Sequence, residues 1–382
     1  MSYRRLGDMV KFISNKNTDG NATVLFGINI DKFFMPSVAN IIGVDLKKYK
    51  VVKKYQFACN RMHVGRDERL PISMSTFDYD FIVSPAYDVF EIITSDVLPE
   101  YLMLWFRRKE FDRQCWFYTD ADVRGGLHLD ALKSIEIKVP TIEEQRLIVT
   151  QYQSIANKIK VNEQICEKLE ATAQALYKNW FVDFEFLNEE GKPYKSSGSK
   201  MVWNEELGKE IPEAWKVEKL EQVSNLKYGK MLNSDNFLSK GYPVFSGYGI
   251  RGFYTEYMYE EPQILVLCRG VSGTGEVKMS PPFSYITNLS IVIENYEDLL
   301  SKDFLYYYLK NDNLKSLDSG SAQSMITTGD LYRRDVLLPI IDVQFEFKKR
   351  IGITTSYSNS LKNQTVKLKQ LQSLLLSLLA VG

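Results

Sequence analysis

The stretch "VPTIEEQRLIV" at residues 139–149 decides the fold, because a strand ends there and a long helix begins. Pro140 has no backbone N–H to donate, so it predicts the end of the strand "SIEIKV". Thr141, followed three residues later by Glu144, gives the sequence pattern of a capping box, which starts a helix. The stretch therefore predicts both the boundary of a globular part and the first turn of a helix.

The helix that follows has the periodicity of a coiled coil. Apolar or small residues recur at alternating spacings of four and three, which is the seam of a coiled coil. A helix from residue 142 to about 186 would be roughly 65 Å long at ~1.5 Å per residue. Asn162 is the one strongly polar seam residue, and such a residue often fixes the register. The seam comprises Ile148, Tyr152, Ile155, Ile159, Asn162, Cys166, Leu169, Ala173, Leu176 and Trp180.

A weaker copy of the opening stretch, "LPIIDVQFEFK", lies at residues 338–348. At an offset of 199 residues, Pro140 meets Pro339 and Gln145 meets Gln344. We interpret the chain as two copies of one unit, each with a globular part of roughly 140 residues followed by a long helix. The second seam comprises Phe347, Ile351, Thr354, Ser358, Leu361, Thr365, Leu368 and Leu375.

Neither apolar stripe is stable in water alone, so the two helices are predicted to pair with each other. They would run antiparallel if a rough two-fold axis relates the copies; the alternative is that each helix packs on its own domain. Gly191 and Pro193 are predicted to end the first helix. The predicted segments are a first domain (1–140), a central helix (141–187), a linker (188–210), a second domain (211–339) and a C-terminal helix (340–382).

Short β-like runs dominate residues 50–95 and 210–300, so each globular part is predicted to be mostly strand with some helix. The expected fold class is therefore α/β (α+β): two domains with mixed β-sheets, separated by two long helices in an antiparallel coiled coil. An internal pseudo-two-fold repeat would relate the two copies.

Composition narrows the class of protein. The chain has 382 residues, 45% hydrophobic and 25% charged, with a formal net charge of zero, as in soluble globular proteins. No apolar run reaches the ~20 residues of a membrane span, and the N-terminus has no apolar signal core, so we expect a cytoplasmic protein. The four cysteines form no CxxC pair, which argues against a metal site. A catalytic histidine could only be His63 or His128.

Three motifs suggest catalysis, but each lacks its required context. "GYGIRG" at 247–252 is not followed by a helix, as dinucleotide binding requires. "ILVLCRGVSGTG" at 264–275 and "SPPF" at 280–283 are similar to DNA amino-methyltransferase motifs. Only four residues separate them, whereas one βαβ unit takes ~30. A third motif, with Asp130, Glu136 and Lys138, resembles the site of a metal-dependent nuclease. The second copy has a leucine in place of the lysine.

A basic stretch indicates a nucleic-acid ligand. Residues 47–70 carry eight Lys or Arg against two Asp or Glu, interleaved with Tyr49 and Tyr55. Such cations neutralise phosphates, and arginine reads guanine edges. The loops at 122–126 and 320–329 precede matching strands. Candidate DNA contacts are Lys53, Lys54, Arg61, His63, Arg66, Arg69 and Arg124 in the first copy, and Lys230, Arg251, Arg269, Lys278 and Gln323 in the second. For any single member, a solvated surface charge is the alternative.

The sequence resembles the specificity subunit of Type I restriction–modification systems over nearly its whole length. The two copies of the opening stretch carry this resemblance, together with "ELGKEIPEAWKVEKLEQV" at 206–223. The segments "CNRMHVG" and "FIVSPAYDVF" within 59–90 and "GSAQSMITTGDLYRRDVLLP" at 320–339 also resemble segments of its domains.

The resemblance implies a non-catalytic chain without a cofactor of its own. Each globular part would be a target-recognition domain that binds one half of a split, asymmetric sequence in double-stranded DNA. The helices would hold the domains at a fixed separation and dock two modification subunits, which use S-adenosylmethionine for adenine-N6 methylation. Two restriction subunits would join for cleavage, with ATP and Mg²⁺.

One departure from the repeat bears on that docking. The second copy has "DVQF" where the first has "EEQR", so it lacks counterparts of Glu144 and Arg146, and the two helices need not dock equally. Two other function classes stay open from the residues alone. One is a stand-alone DNA methyltransferase with its own reader, and the other is a coiled-coil scaffold that binds no DNA.

Overall fold

The chain folds into two compact units in a computed structural model that describes residues 2–38, 43–62, 64–119, 125–270, 273–317 and 325–379. Unit 1 comprises Met1–Gln164 and Leu361–Gly382, and unit 2 comprises Ile165–Ser360. Each long helix therefore contributes one part to each unit. None of the described helices is both long enough and apolar enough to cross a lipid bilayer.

Unit 1 is built on an antiparallel four-stranded sheet in the order β2-β9-β6-β7. A two-stranded ribbon, β1 with β10, links the start of the chain to the strand before the first long helix. The strands are β1 (Ser2–Arg5), β2 (Val10–Ile13), β3 (Phe26–Ile28), β4 (Phe34–Pro36), β5 (Lys50–Val52), β6 (Phe57–Cys59), β7 (Ile72–Met74), β8 (Phe81–Val83), β9 (Asp88–Ile92) and β10 (Glu136–Val139). The helices are α1 (Leu6–Met9), α2 (Val64–Asp67), α3 (Pro99–Phe106), α4 (Lys109–Phe117), α5 (Leu129–Ser134) and α6 (Ile142–Tyr177), with a 3₁₀ turn at Leu46–Lys48.

Unit 2 repeats this plan with an antiparallel sheet in the order β14-β20-β17-β18 and a ribbon of β13 with β21. The strands are β11 (Met201–Asn204), β12 (Lys209–Pro212), β13 (Lys216–Lys219), β14 (Ser224–Tyr228), β15 (Tyr242–Phe245), β16 (Ile250–Tyr254), β17 (Ile264–Leu267), β18 (Val277–Met279), β19 (Tyr285–Ile286), β20 (Ser290–Asn295) and β21 (Asp335–Leu338). The helices are α7 (Leu220–Val223), α8 (Lys302–Asn311), α9 (Thr328–Tyr332) and α10 (Ile341–Leu378), with 3₁₀ turns at Ser234–Asn236 and Leu314–Leu317.

The predicted internal repeat is therefore confirmed in the central sheets and the ribbons. Strands β2, β9, β6 and β7 correspond to β14, β20, β17 and β18, and the ribbons correspond as well. Each sheet buries its strands against helices of its own unit. In unit 1, Phe57 stacks on Phe90 at 5.0 Å between ring centroids, and Phe106 meets Phe57 edge-on at 5.7 Å. Such aromatic pairs add ~0.5–1.5 kcal/mol to the effect of burial.

The capping box predicted at the start of α6 is present. The Thr141 backbone N–H donates to Glu144 Oε2 at 2.9 Å, and the Glu144 N–H donates to Thr141 Oγ1 at 3.3 Å. Two otherwise unpaired donors of the first turn are thus satisfied. At the start of α10, Ile340 and Val343 occupy the matching positions, and their side chains cannot form such a box.

The two long helices pair antiparallel within each unit. In unit 1, Asn162 Nδ2 donates to Gln364 Oε1 at 2.8 Å, and farther along α10 Leu376 packs in the same cluster as Tyr152. In unit 2, the Cys166 Sγ lies 3.6 Å from the Ser358 carbonyl oxygen. Every predicted seam residue on either helix is buried or half-buried, so the predicted coiled coil is confirmed and separate packing of each helix is wrong.

The predicted end of the first helix was wrong. Helix α6 passes into a π-helical turn, Lys178–Val182, and does not reach residue 186. Trp180 and Phe181 are buried in the core of unit 2, and Phe184 takes a left-handed conformation with φ of 61° that reverses the chain. Burial of these aromatic side chains ends the helix, while Gly191 shapes a later turn.

Candidate nucleic-acid interface

Three basic residues predicted for unit 1, Arg61, Arg66 and Arg69, follow β6 at one end of its central sheet. We call this end, where β6 finishes and β9 begins, the loop end; Cys59 and Asp88 are opposite each other there. Lys53 and Lys54 precede β6 and lie toward the opposite end. The Leu127 N–H donates to the Arg61 carbonyl at 3.0 Å, and the Gly65 N–H donates to the Gly125 carbonyl at 3.0 Å. Two segments far apart in sequence therefore meet at the loop end.

The loop end of unit 2 has the same construction. It lies where β17 finishes and β20 begins, with Leu267 opposite Ser290. The Ile326 N–H donates to the Cys268 carbonyl at 3.0 Å, which corresponds to the Leu127 contact of unit 1. Lys230 follows β14 at this same end, and its N–H donates to the Ile286 carbonyl at 2.9 Å.

Acidic neighbours neutralise most of the cations predicted for unit 1. Arg61 Nε donates to Asp88 Oδ2 at 2.6 Å, and the guanidinium also donates to the Leu127 carbonyl, so Arg61 holds the loop end together. Lys54 pairs with Asp78, whose hydrogen bond raises the pKa of the lysine.

Two further arginines predicted for unit 1 also have acidic neighbours. Arg66 pairs with Asp67 at 2.7 Å, and Arg69 lies 3.5 Å from Asp31. Lys53 is exposed and makes no ion pair within the part of the chain that the structure describes. The predicted contacts at His63 and Arg124 lie outside the described residues.

Unit 2 leaves more of its predicted cations available. Lys230, Arg251 and Arg269 are exposed, and their side chains form no ion pair among the described residues. Lys278 pairs with Glu276 at 2.9 Å. The predicted contact at Gln323 lies outside the described residues.

Glycines of these motifs in unit 2 make room for a tyrosine side chain and do not form a nucleotide-binding loop. Tyr248 Oη donates to the Arg269 carbonyl at 2.9 Å, across the loop between β17 and β18. A Cβ atom at Gly270 would lie 2.1 Å from Tyr248 Oη, and one at Gly273 would lie 2.6 Å from the same ring. The motif at 247–252 spans the β15–β16 hairpin, so it opens no helix. The rejected cofactor motifs therefore have a packing explanation.

Unit 1 also holds a buried ion pair that no pattern in the sequence predicts. Lys32 and Asp112 are 4% and 13% exposed, and Lys32 Nζ lies 2.7 Å from Asp112 Oδ1. Burial lowers the pKa of Lys32 and raises the pKa of Asp112, because it disfavours both charges. Asp112 Oδ1 also accepts from the Leu70 N–H at 3.1 Å, so the pair fixes the end of the basic segment.

Two observations concern metal ligands and thiols in the described part of the chain. There, no group of three or more His, Cys, Asp and Glu side chains could hold a metal ion. Burial raises the pKa of both Cys59 and Cys115 well above its usual range, so these thiols stay protonated.

Comparisons with known proteins agree on one family. A family model described as the Type I restriction modification DNA specificity domain matches residues 1–171 and 212–371. The MjaIX specificity subunit of Methanocaldococcus jannaschii is 36% identical over 145 residues, which is 36% of this chain and 30% of that protein. The HindI specificity subunit of Haemophilus influenzae is 31% identical over 191 residues, which is 47% of this chain and 40% of that protein. These matches therefore span less than half the length of either relative.

A solved structure has a similar fold over almost all of the chain. It is the crystal structure of the S subunit of a Type I restriction–modification system from M. genitalium, at a TM-score of 0.57 and 14% identity. The superposition covers 99% of this chain and 95% of that one.

Proposed function

The chain belongs to the family of Type I restriction modification DNA specificity domains, and from this premise we propose that it reads DNA sequence for a modification complex. Each unit would bind one half of a split, asymmetric target in double-stranded DNA. The observation that carries the proposal is the doubled loop end: two units with one scaffold gather different side chains at the same place. Two different readers in one chain suit an asymmetric target, whereas a homodimer suits a palindrome.

In this proposal the chain positions the reaction and does not catalyse it. Two modification subunits would supply S-adenosylmethionine and the adenine-N6 chemistry, and two restriction subunits would add ATP- and Mg²⁺-dependent cleavage. The complex would work in the cytoplasm. This chain would bind none of those cofactors itself.

The modification subunits would dock on the long helices. The seam residues are buried inside each unit, so a partner would contact exposed positions of the helices instead. Leu147 in unit 1 and Ile353 in unit 2 are exposed apolar side chains of this kind. A modification subunit that packs on the helices would cover these side chains.

The test is co-expression with a candidate modification subunit, followed by methylation mapping of the host genome by long-read sequencing. We expect one bipartite motif with methylated adenine on both strands. Arg69→Ala in unit 1 and Arg251→Ala in unit 2 should each relax a different half of that motif. A stable complex that adds no methylation, or variants that weaken both halves equally, would contradict the proposal.

The two other function classes give different results on the isolated chain. A stand-alone methyltransferase would bind S-adenosylmethionine in calorimetry without any partner. A scaffold would show no salt-dependent binding to DNA, because that dependence comes from counterions released by phosphate contacts.

A further inference from the structure

Three consecutive aromatic side chains stand exposed at the end of α4 in unit 1. Trp116, Phe117 and Tyr118 are 47%, 79% and 41% exposed, and the Phe117 and Tyr118 rings meet at 5.5 Å between centroids. Soluble proteins rarely leave a contiguous apolar surface in water unless a ligand or partner covers it.

The helix that carries these aromatics is firmly anchored. On its opposite face Phe111 and Cys115 are buried in the core of unit 1, and the Phe111 ring lies 4.9 Å from Phe106. Asp112 holds the buried ion pair with Lys32. A rigid base of this kind means that the aromatics lose little conformational freedom when they bind.

The end of the helix is also fixed by hydrogen bonds. The Thr119 N–H donates to the Trp116 carbonyl at 3.0 Å, and Thr119 Oγ1 donates to the same oxygen at 2.7 Å. Thr119 then pairs with Leu127 in an isolated β-bridge. Because the Leu127 N–H donates to the Arg61 carbonyl, the aromatics adjoin the loop end of unit 1.

Two arginine side chains lie near the same place, and one of them is paired with a carboxylate. Helix α4 contacts α2, which carries Arg66, and Arg113 is exposed on α4 itself. Aromatic side chains next to arginine suit nucleic acid, because bases offer π faces and phosphates offer negative charge. A partner protein is the other possible occupant, but the continuity with the loop end favours DNA.

Unit 2 has no such aromatics at the matching positions. Between Tyr308 in α8 and Tyr332 at the end of α9, the sequence of unit 2 contains no aromatic residue. The exposed aromatics are therefore not a requirement of the repeated scaffold. They belong to the features by which unit 1 differs from unit 2.

We propose that Trp116, Phe117 and Tyr118 form an apolar wedge that inserts at a base step of the half-site read by unit 1. The wedge would unstack that step and bend the duplex there, while the other half-site stays regular. Apolar side chains act in this way in architectural DNA-binding proteins, and pyrimidine–purine steps deform most easily. This inference rests on the proposed DNA-reading function.

The experiment uses the complex with its modification subunit and a duplex carrying the mapped motif. A 2-aminopurine replaces an adenine in one half-site at a time, and its fluorescence reports unstacking. We expect a fluorescence rise on binding only in the half-site of unit 1. Phe117→Ala should abolish the rise and weaken binding roughly tenfold, since aromatic stacking on one base contributes about that much.

Two further variants serve as controls. Phe117→Leu keeps an apolar side chain and should keep most of the fluorescence rise. Trp203→Ala removes an aromatic that is 65% exposed on β11 of unit 2, and it should change neither fluorescence nor affinity. Phe117 is largely exposed, so its replacement should leave the melting temperature unchanged.

The possible outcomes distinguish the wedge from protein docking and from failure of the proposed DNA-reading function. If wild-type complex binds the motif but Phe117→Ala leaves the fluorescence and the affinity unaltered, the wedge is refuted and the DNA-reading function stands. If Phe117→Ala releases the modification subunit while DNA contact persists, the aromatics dock a protein instead. If wild-type complex binds no DNA specifically, the proposed function itself fails.

Discussion

Units 1 and 2 share a framework, and one buried glutamine holds it in each unit. Gln145 Nε2 donates to the carbonyls of Asp96 and Pro140 at 2.8 and 2.9 Å, and its Oε1 accepts from the Leu98 N–H at 2.8 Å. Gln344 makes the matching set, at 3.3 Å to Leu299, 2.7 Å to Pro339 and 2.8 Å from Ser301. Both glutamines are fully buried. Each ties the first turn of a long helix to the loop before α3 or α8.

The units differ where side chains reach solvent. At the loop end of unit 1 each predicted cation that the structure describes is paired with a carboxylate, and exposed aromatics adjoin these pairs. Unit 2 keeps Lys230, Arg251 and Arg269 unpaired among the described residues. The comparison teaches that one scaffold can carry two chemically different surfaces. The framework bonds are internal, so the loops can change without altering the fold.

The largest effect should come from the buried ion pair that unit 1 holds at its loop end. Lys32→Met leaves the Asp112 charge buried without a partner, which should cost about 3–5 kcal/mol of unfolding free energy. Unit 2 has the partly exposed Arg334–Asp312 pair, with 2.7 Å between Arg334 Nη2 and Asp312 Oδ1, and Arg334→Met should cost less. Urea unfolding measures both values.

A double variant separates charge from packing. Lys32→Met with Asp112→Leu removes both charges and should recover much of the lost stability. Lys47→Met, at an exposed position in the same unit, is the control. Equal losses in the two units would show that burial does not distinguish the pairs.

The second prediction tests the shared framework. Gln145→Leu and Gln344→Leu should each lower the unfolding free energy by about 2–3 kcal/mol, since each leaves buried backbone groups without a partner. Gln151→Leu, on the exposed face of α6, should be nearly neutral. Thermal unfolding with both variants side by side is the measurement. A large loss in one unit alone would mean that the units are not held in the same way.

The third prediction concerns charge at the two loop ends. Arg251→Ala in unit 2 should reduce the slope of log binding constant against log salt concentration by about one, as for a lost phosphate contact. Arg66→Ala in unit 1 should change the slope less, because Asp67 already neutralises the arginine. Salt titrations of DNA binding by the complex measure both slopes. Equal changes in the two slopes would contradict the electrostatic difference between the units.

The smallest effect is expected from a capping box present on α9 of unit 2. Hydrogen bonds from Thr327 hold the pKa of Asp330 below its usual value. Because the folded-state pKa is depressed, this stabilisation is complete above about pH 4 and is lost as pH falls through the folded value. We expect a contribution of about 1 kcal/mol. The matching helix α5 of unit 1 begins after His128 without a side-chain cap.

Stability measured from pH 7 down to 3 tests this prediction. The difference between wild type and Asp330→Asn should shrink as pH falls, because protonated Asp330 loses its charge-assisted bonds. A difference that stays constant over this range would show that the charge of Asp330 contributes nothing.

The sequence by itself determined the features that depend on short spacing. Thr141 and Glu144 are three residues apart, so their capping box was readable, and the seam through Asn162 was readable from its spacing. The order of matching segments also indicated two copies of one unit. Each of these signals depends on residues close together in the sequence, or on one pattern that occurs twice.

Only the tertiary structure decided which charges are available and where the first helix ends. Lys32 meets Asp112 and Arg61 meets Asp88 across long sequence separations, and no local pattern predicts such pairs. Trp180 ends the regular helix because burial in the core of unit 2 outweighs local helix preference. Burial and ion pairing depend on the folded neighbourhood, because chain segments distant in sequence supply the surrounding surface and charge.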